Sequence, residues 1–231
     1  EHNPSPQPAT PAAKTLDHLG LGIEGMDRAA HALALAAAGG HHLLMVGPPG
    51  CGKTHLARQL PLLLPPLTTS ESLTITRIHS VAGEFDASEP LLHQRPFRSA
   101  HHSCSGAALL SGGHTPKPGE ISLAHGGVLF LDELAEFPRR VLDLLRQPLE
   151  DGNVRLSRSR ETTVFPAAVT LVAATNPCPC GWHGDTAQAC RCTRAQRQRY
   201  WQRLSWGITP PALNLDRCRG GPGFSFRRHV A

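Results

Sequence analysis

The sequence predicts an α/β fold in which helices cover both faces of a parallel sheet. Three observations predict it. Short apolar runs alternate along the chain with segments of helical spacing. A glycine-rich loop, "GPPGCGKT", stands between one such run and a helical segment. A second run, "GVLFLDE", ends in two carboxylates.

The elements follow in chain order. Residues 1–15, "EHNPSPQPATPAAKT", are Pro-rich and polar and read as a linker. "MDRAAHALALAAAGGHH" is an Ala-rich helix closed by Gly39 and Gly40. "HLLMV" (42–46) is a short buried strand that stops at Gly47. Residues 53–64 continue as a helix until Pro65 and Pro66 stop it. "LTITRI" (73–78) alternates and is β-branched, so a second strand is expected there. "GVLFLDE" (127–133) is the third strand. "RRVLDLLRQPLED" (139–151) has helical apolar spacing at Val141, Leu142, Leu144, Leu145 and Leu149, despite Pro148. "VRLSRSRETTVFP" (154–166) reads as strand, turn, strand, and "AVTLVAATN" (168–176) as the fourth buried strand.

Composition bounds the function. The chain has 231 residues, is 40% hydrophobic and carries a formal net charge of +5. An anionic partner is compatible with that charge, which alone does not distinguish nucleic acid from a general basic surface. No apolar run approaches a membrane span and no segment reads as a secretory signal, so a cytoplasmic location is expected. There, clustered cysteines favour metal or catalysis over disulfides. The first residue is Glu, so a fragment or a processed chain is expected.

"GPPGCGKT" comprises Gly47, Pro48, Pro49, Gly50, Cys51, Gly52, Lys53 and Thr54 and fits G-x-x-x-x-G-K-[ST]. The glycines let backbone N–H groups curl around phosphate oxygens, and the following helix N-terminus favours negative charge. Lys53 would reach the β- and γ-phosphates of ATP, and Thr54 would bind Mg²⁺. At the end of the third strand, Asp132 would hold Mg²⁺ through its water shell and Glu133 would orient and polarise the attacking water. Asn176 ends the fourth strand, where such sheets place ligands, and its amide could hold the same water.

The longer strings "AAAGGHHLLMVGPPGCGKT", "RPFRSAHHSCSGAALLSGG", "PKPGEISLAHGGVLFLDELAEF", "VLDLLRQPLEDG" and "VAATNPCPCG" closely resemble magnesium-chelatase-like AAA+ ATPases of the ComM type. The resemblance covers residues 16–205. It implies an AAA+ P-loop core, an insert before the strand that carries Asp132, and a hairpin before the strand that carries Asn176. It also implies a hexameric ring as homo-oligomer and, for the ComM type, DNA branch migration during natural transformation. The family name reflects kinship with the ATPase subunit that drives metal insertion into porphyrin.

After Ser205 the resemblance stops. The family there runs into a fifth strand, an arginine that reaches a neighbour's ATP, and a helical lid. This chain reads "WGITPPALNLDRCRGGPGFSFRRHVA", without a sustained period of 2 or 3.6. Residues 206–231 are expected to be an atypical tail, disordered or the product of a frameshift or truncation. The fifth strand and the lid are expected to be missing, and Arg217 is not expected to be the trans-acting arginine. An exposed strand edge would follow, with weak nucleotide binding, poor hydrolysis and poor assembly.

Arg155, Arg158 and Arg160 lie on the hairpin 154–166, which in a ring would project toward the pore and meet DNA phosphates. A solvated hairpin with charged tips is the plain alternative. Arg191, Arg194, Arg197, Arg199 and Arg203 are open to two readings, a second basic patch and a solubilising helix face, of which the helix face is expected. Cys178, Cys180, Cys190 and Cys192 form C-x-C-x₉-C-x-C. Four thiolates can close a tetrahedral Zn²⁺ site, a zinc knuckle. An iron–sulfur cluster, two disulfides or free thiols remain alternatives. His183 is expected to be a surface residue. The pairs His41-His42 and His101-His102 are expected to be structural, because adjacent strand residues point to opposite faces.

The sequence thus leads to a Mg·ATP-dependent AAA+ ATPase domain coupled to movement on DNA. The rivals are an ATPase subunit of a metal-chelatase-type complex and a truncated, non-catalytic nucleotide-binding fragment.

Overall fold

Five parallel strands form one sheet in the computed structural model, which describes residues 27–85, 90–112, 117–157, 162–204 and 212–214. In chain order the elements are α1 (Asp27–Gly39), β1 (Leu43–Val46), α2 (Lys53–Leu63), α3 (Thr69–Ala82), β2 (Phe97–Ala100) and α4 (Gly106–Leu110). Then come β3 (Ser111–Gly112), β4 (Lys117–Pro118), α5 (Glu120–Leu123), β5 (Val128–Leu131), a 3₁₀ turn (Leu134–Glu136) and α6 (Arg139–Asp151). The chain continues through β6 (Asn153–Ser157), β7 (Thr162–Pro166), β8 (Thr170–Thr175), α7 (Arg194–Leu204) and β9 (Ala212–Asn214). The sheet order is β2-β5-β8-β1-β9.

The strands are apolar throughout because both faces are covered. Leu43, Met45, Val128, Phe130, Val172 and Ala174 point to one side, where α1 and α2 supply Leu33, Ala36, Leu56 and Leu60. Leu44, Val46, Leu129, Leu131, Leu171 and Ala173 point to the other, against Ile121, Val141, Leu142, Leu145, Tyr200 and Leu204. Burial on both faces removes the polar alternation of a half-exposed strand. α6 buries Val141, Leu142, Leu145 and Pro148 at helical spacing and ends at Gly152, whose φ of 66° suits glycine. The α/β class, the covered parallel sheet and the hairpin β6–β7 ahead of β8 agree with expectation.

Two expectations are corrected. Residues 73–78 are helical, inside α3. Thr68 and Glu71 form a capping box: the Thr68 hydroxyl accepts from Glu71 N (3.2 Å) and the Glu71 carboxylate accepts from Thr68 N (2.8 Å). Ser72, Ile75 and Thr76 are buried at helical spacing, whereas Leu73 is exposed. The second strand is β2, which pairs with β5 so that Ala100 lies opposite Leu131.

The second correction concerns the fifth strand, expected to be missing. β9 occupies its place beside β1, with Leu44 opposite Ala212 and Val46 opposite Asn214. Ladder bonds are made by backbone, so a three-residue extended segment can pair with an open edge whatever its side chains. The edge of β1 is therefore paired over these residues rather than bare. Residues 1–15, Arg158, Arg160, Arg217, Cys218 and the rest of the tail lie outside the described residues. Among the described residues, no helix is long and apolar enough to cross a membrane.

Candidate nucleotide site and cysteine loop

β1 ends at Val46, and the chain turns through residues 47–52 into α2. Gly50 and Gly52 have φ of 73° and 86°, values that favour glycine. Gly47 N donates to Thr175 O (3.2 Å), which ties the start of the loop to the end of β8. Lys53 is buried, and its ammonium donates to Gly47 O (2.7 Å), Pro48 O (2.9 Å) and Asn176 Oδ1 (3.3 Å). Cys51 Sγ stands 3.8 Å from the same nitrogen. Thr54 Oγ1 donates to Asp132 Oδ2 (3.1 Å). One sheet edge thus gathers Lys53, Thr54, Asp132 and Asn176 from α2 and the ends of β5 and β8. A hydroxyl beside a carboxylate is the oxygen-donor chemistry Mg²⁺ takes, commonly with retained waters.

Glu133 follows Asp132 with φ of 51°, the positive-φ non-glycine residue among the described residues. Its N–H donates to Asp132 Oδ1 (2.9 Å). The left-handed backbone costs about 1 kcal/mol for a residue with a Cβ, and such outliers gather at functional sites. The bend carries the Glu133 carboxylate toward the end of β2, where Oε2 lies 3.0 Å from His102 Nδ1.

The four cysteines converge beyond Asn176. Cys178 Sγ lies 3.4 Å from Cys180 Sγ and 3.7 Å from Cys190 Sγ, and Cys180 and Cys190 are 3.7 Å apart. All four sulfurs lie within 4.8 Å of one another, and none is in a disulfide. Zinc–sulfur bonds of about 2.3 Å at tetrahedral angles require sulfurs about 3.8 Å apart, so the four thiols fit a zinc ion. Backbone N–H groups of Cys180 and Cys192 point at Cys192 Sγ and Cys190 Sγ, both at 3.4 Å. Burial pushes the Cys178 thiol up to about 12, whereas backbone N–H groups of Trp182 and Arg191 lower Cys180 to about 6. His183 is exposed and its ring is not among the converging ligand atoms, although its backbone N–H points at the Cys178 sulfur.

The cysteine loop touches the phosphate loop. Gly181 has a φ of 85°, and a Cβ there would lie 2.8 Å from Pro49 Cδ. α7 fixes the same region from behind: Tyr200 Oη and Thr175 Oγ1 share a hydrogen bond (2.8 Å), and Trp201 Nε1 donates to Pro177 O (3.1 Å). Arg197 donates to Cys192 O (2.8 Å).

With this geometry in place, the comparisons with known proteins decide the family. A family model described as "Magnesium chelatase, subunit ChlI" matches residues 21–211. The chain belongs to that family. Protein YifB of Escherichia coli K12 is 47% identical over 200 residues, covering 87% of this chain and 39% of YifB. Competence protein ComM of Haemophilus influenzae is 50% identical over 186 residues, covering 79% of this chain and 35% of ComM. The chain therefore spans well under half the length of these relatives. Among solved structures, NtrX from Brucella abortus in complex with ATP is similar over 79% of this chain and 35% of its own, at 20% identity and a TM-score of 0.46.

Within this domain of the magnesium chelatase family, the remaining candidates divide. Arg155 is exposed on β6. Arg191, Arg194, Arg199 and Arg203 are exposed on and before α7. Two neighbours of the site escaped sequence reasoning. Gly181 was visible only as a turn glycine, and its contact with Pro49 spans a gap in sequence that no motif bridges. The pair His101-His102 reads from the sequence as structural. The strand ends at Ala100, and Cys104 N donates to His101 O (2.8 Å), closing a turn. The alternate-face rule therefore stops applying, and the two rings lie 3.9 Å apart.

Proposed function

We propose that this chain binds and hydrolyses Mg·ATP as an AAA+ ATPase domain, and that in the intact protein hydrolysis is coupled to movement on DNA. The observation that carries the reading is the convergence of Lys53, Thr54, Asp132 and Asn176 on one sheet edge, with Glu133 next along the chain. Gly47 to Thr54 would cradle the phosphates, with Lys53 leaving its carbonyl and amide partners for phosphate oxygens. Thr54 and Asp132 would hold Mg²⁺, which when bound neutralises charge on the β- and γ-phosphates. Glu133 and Asn176 would orient the water that attacks the γ-phosphorus. The cysteine loop would hold Zn²⁺ in a structural role. The homo-oligomer would be a hexameric ring, in the cytoplasm, with the arginine hairpin facing DNA.

DNA is favoured as partner by the similarity to competence protein ComM and by the exposed Arg155. The family description favours a second reading, an ATPase subunit that drives metal insertion by a chelatase. ATP turnover measured with and without DNA separates the two. Lys53→Ala is expected to abolish binding, and Glu133→Gln to keep binding while lowering turnover about 100-fold or more. DNA stimulation lost on Arg155→Ala/Arg158→Ala/Arg160→Ala supports the motor. Stimulation by a porphyrin-binding partner alone supports the chelatase. Nucleotide binding without any turnover overturns both in favour of a non-catalytic fragment.

A further inference from the structure

We propose that His101, His102 and Glu133 form a second metal site, for a borderline divalent cation of the zinc class, and that a cation seated there holds ATP turnover off. The inhibitory half rests on the proposed role of Glu133 in hydrolysis; the binding half does not.

The topology brings the three residues together. β2 and β5 are neighbouring parallel strands with Ala100 opposite Leu131. His102 and Glu133 each stand two residues beyond that pair, so the ends of both strands emerge side by side. One ligand atom from each of His101, His102 and Glu133 lies within 4.8 Å of the others. Tetrahedral zinc with bonds of about 2.0–2.1 Å needs ligand atoms about 3.3 Å apart, a small adjustment from the 3.0 Å between His102 Nδ1 and Glu133 Oε2.

A second observation points to a ligand. His102 Nδ1 is buried yet has no aligned hydrogen-bond partner, despite the carboxylate at 3.0 Å. With a lone pair on Nδ1, nitrogen and oxygen face each other electron pair to electron pair. A cation between them satisfies both. His101 Nδ1 lies 2.9 Å from Ser103 Oγ. In the tautomer with its proton on Nδ1, the ring donates to that hydroxyl and keeps the Nε2 lone pair for a metal, the outer support that metal-bound imidazoles use.

Two imidazoles and one carboxylate suit zinc, nickel, cobalt or copper over magnesium, which prefers an all-oxygen shell. The site therefore discriminates against the cation expected at Thr54 and Asp132. Its consequence follows from shared membership. A cation that pins the Glu133 carboxylate to the histidines at the end of β2 keeps it from swinging to the water at the γ-phosphate.

The test is a Zn²⁺ titration against a chromophoric chelator, on wild type, His101→Ala/His102→Ala, and Cys178→Ser/Cys180→Ser. The decisive quantity is the difference between wild type and the histidine variant. One equivalent fewer in that variant, with the cysteine variant losing a different one, is expected. Equal stoichiometry and affinity in wild type and histidine variant overturns the site. If circular dichroism shows that variant unfolded, His101→Gln/His102→Gln takes its place under the same criterion. Turnover is then followed as zinc is added. A fall of about 10-fold or more with the histidine-dependent equivalent is expected, and unchanged turnover on filling it overturns the inhibitory half. A wild type with no turnover at any zinc loading sinks the ATPase reading alone, since stoichiometry still decides the site.

Discussion

The phosphate loop and the cysteine loop sit against each other but are held by different forces. The phosphate loop is fixed at both ends by the sheet and α2: Gly47 bonds to Thr175, and Lys53 reaches back to Gly47, Pro48 and Asn176. Its shape is set by backbone ladders and a buried helix. The cysteine loop has no strand and no helix between Asn176 and Arg194. It is held by its sulfurs, by an Asp185 turn that accepts from Ala187 and Gln188, and by Trp201 and Arg197 of α7. A loop without ladder bonds would depend on the zinc proposed to join its sulfurs, whereas one inside a sheet needs no such cross-link. The contact between Gly181 and Pro49 is where the dependent loop can influence the independent one.

Removing the zinc proposed at the four cysteines should have the largest effect. Cys178→Ser/Cys190→Ser, or treatment with a strong chelator, should free the cysteine loop while leaving the sheet folded. ATP affinity should fall about 10-fold, the scale on which outer supports act on a site. Isothermal titration with a non-hydrolysable ATP analogue measures it. Unchanged affinity would show that Pro49 needs no support from the cysteine loop.

A smaller and more local break is Gly181→Ala. The added Cβ meets Pro49 Cδ at 2.8 Å and Cγ at 2.9 Å, and the φ of 85° is costly for alanine. Crowding of this kind costs about 1–3 kcal/mol. ATP affinity should fall, but less than on loss of the cross-link. Gly181→Ala/Pro49→Ala should recover part of it by removing the ring that is struck. A double variant no better than Gly181→Ala would place the whole cost in the backbone of residue 181.

The same contrast explains what was legible in the sequence. The phosphate loop, Asp132, Glu133 and Asn176 are readable because each follows an apolar run that can only be a buried strand. α3 misled because "LTITRI" alternates, and the capping residues Thr68 and Glu71 outside that window decide for helix. β2 is four residues long and only partly buried, so its apolar signal is faint. β9 is held by the open edge of β1, which is tertiary information. The spacing of the cysteines announced a cluster, but neither the sulfur distances nor the contact with Pro49 can be read from spacing. His102 meets Glu133 through the register of β2 on β5, a fact that exists only once the insert is folded.

The smallest expected effect tests the sheet side of the comparison at its own weak point. His42 Nδ1 accepts from Leu171 N (3.0 Å), which completes the backbone bonding between the segment before β1 and the start of β8. Accepting requires a lone pair, so the bond holds the ring neutral. Burial, with His41 beside it, lowers the His42 pKa below its usual 6.5. The unfolded chain therefore takes up the proton first as pH falls. Stability from this residue is complete above pH 6.5, declines as pH drops below it, and stops declining once the folded form is also protonated. His42→Asn keeps an acceptor and removes the titration. The loss of Tm between pH 7.5 and 5.5 should be smaller in this variant than in wild type. Thiolate protonation in the cysteine loop acts on both proteins alike, so it cancels in the difference. Equal losses would mean that His42 sits in the fold without coupling its charge to it, and that the acid sensitivity of the domain lies elsewhere, at His125, which accepts from Ala168 N, or in the cysteine loop.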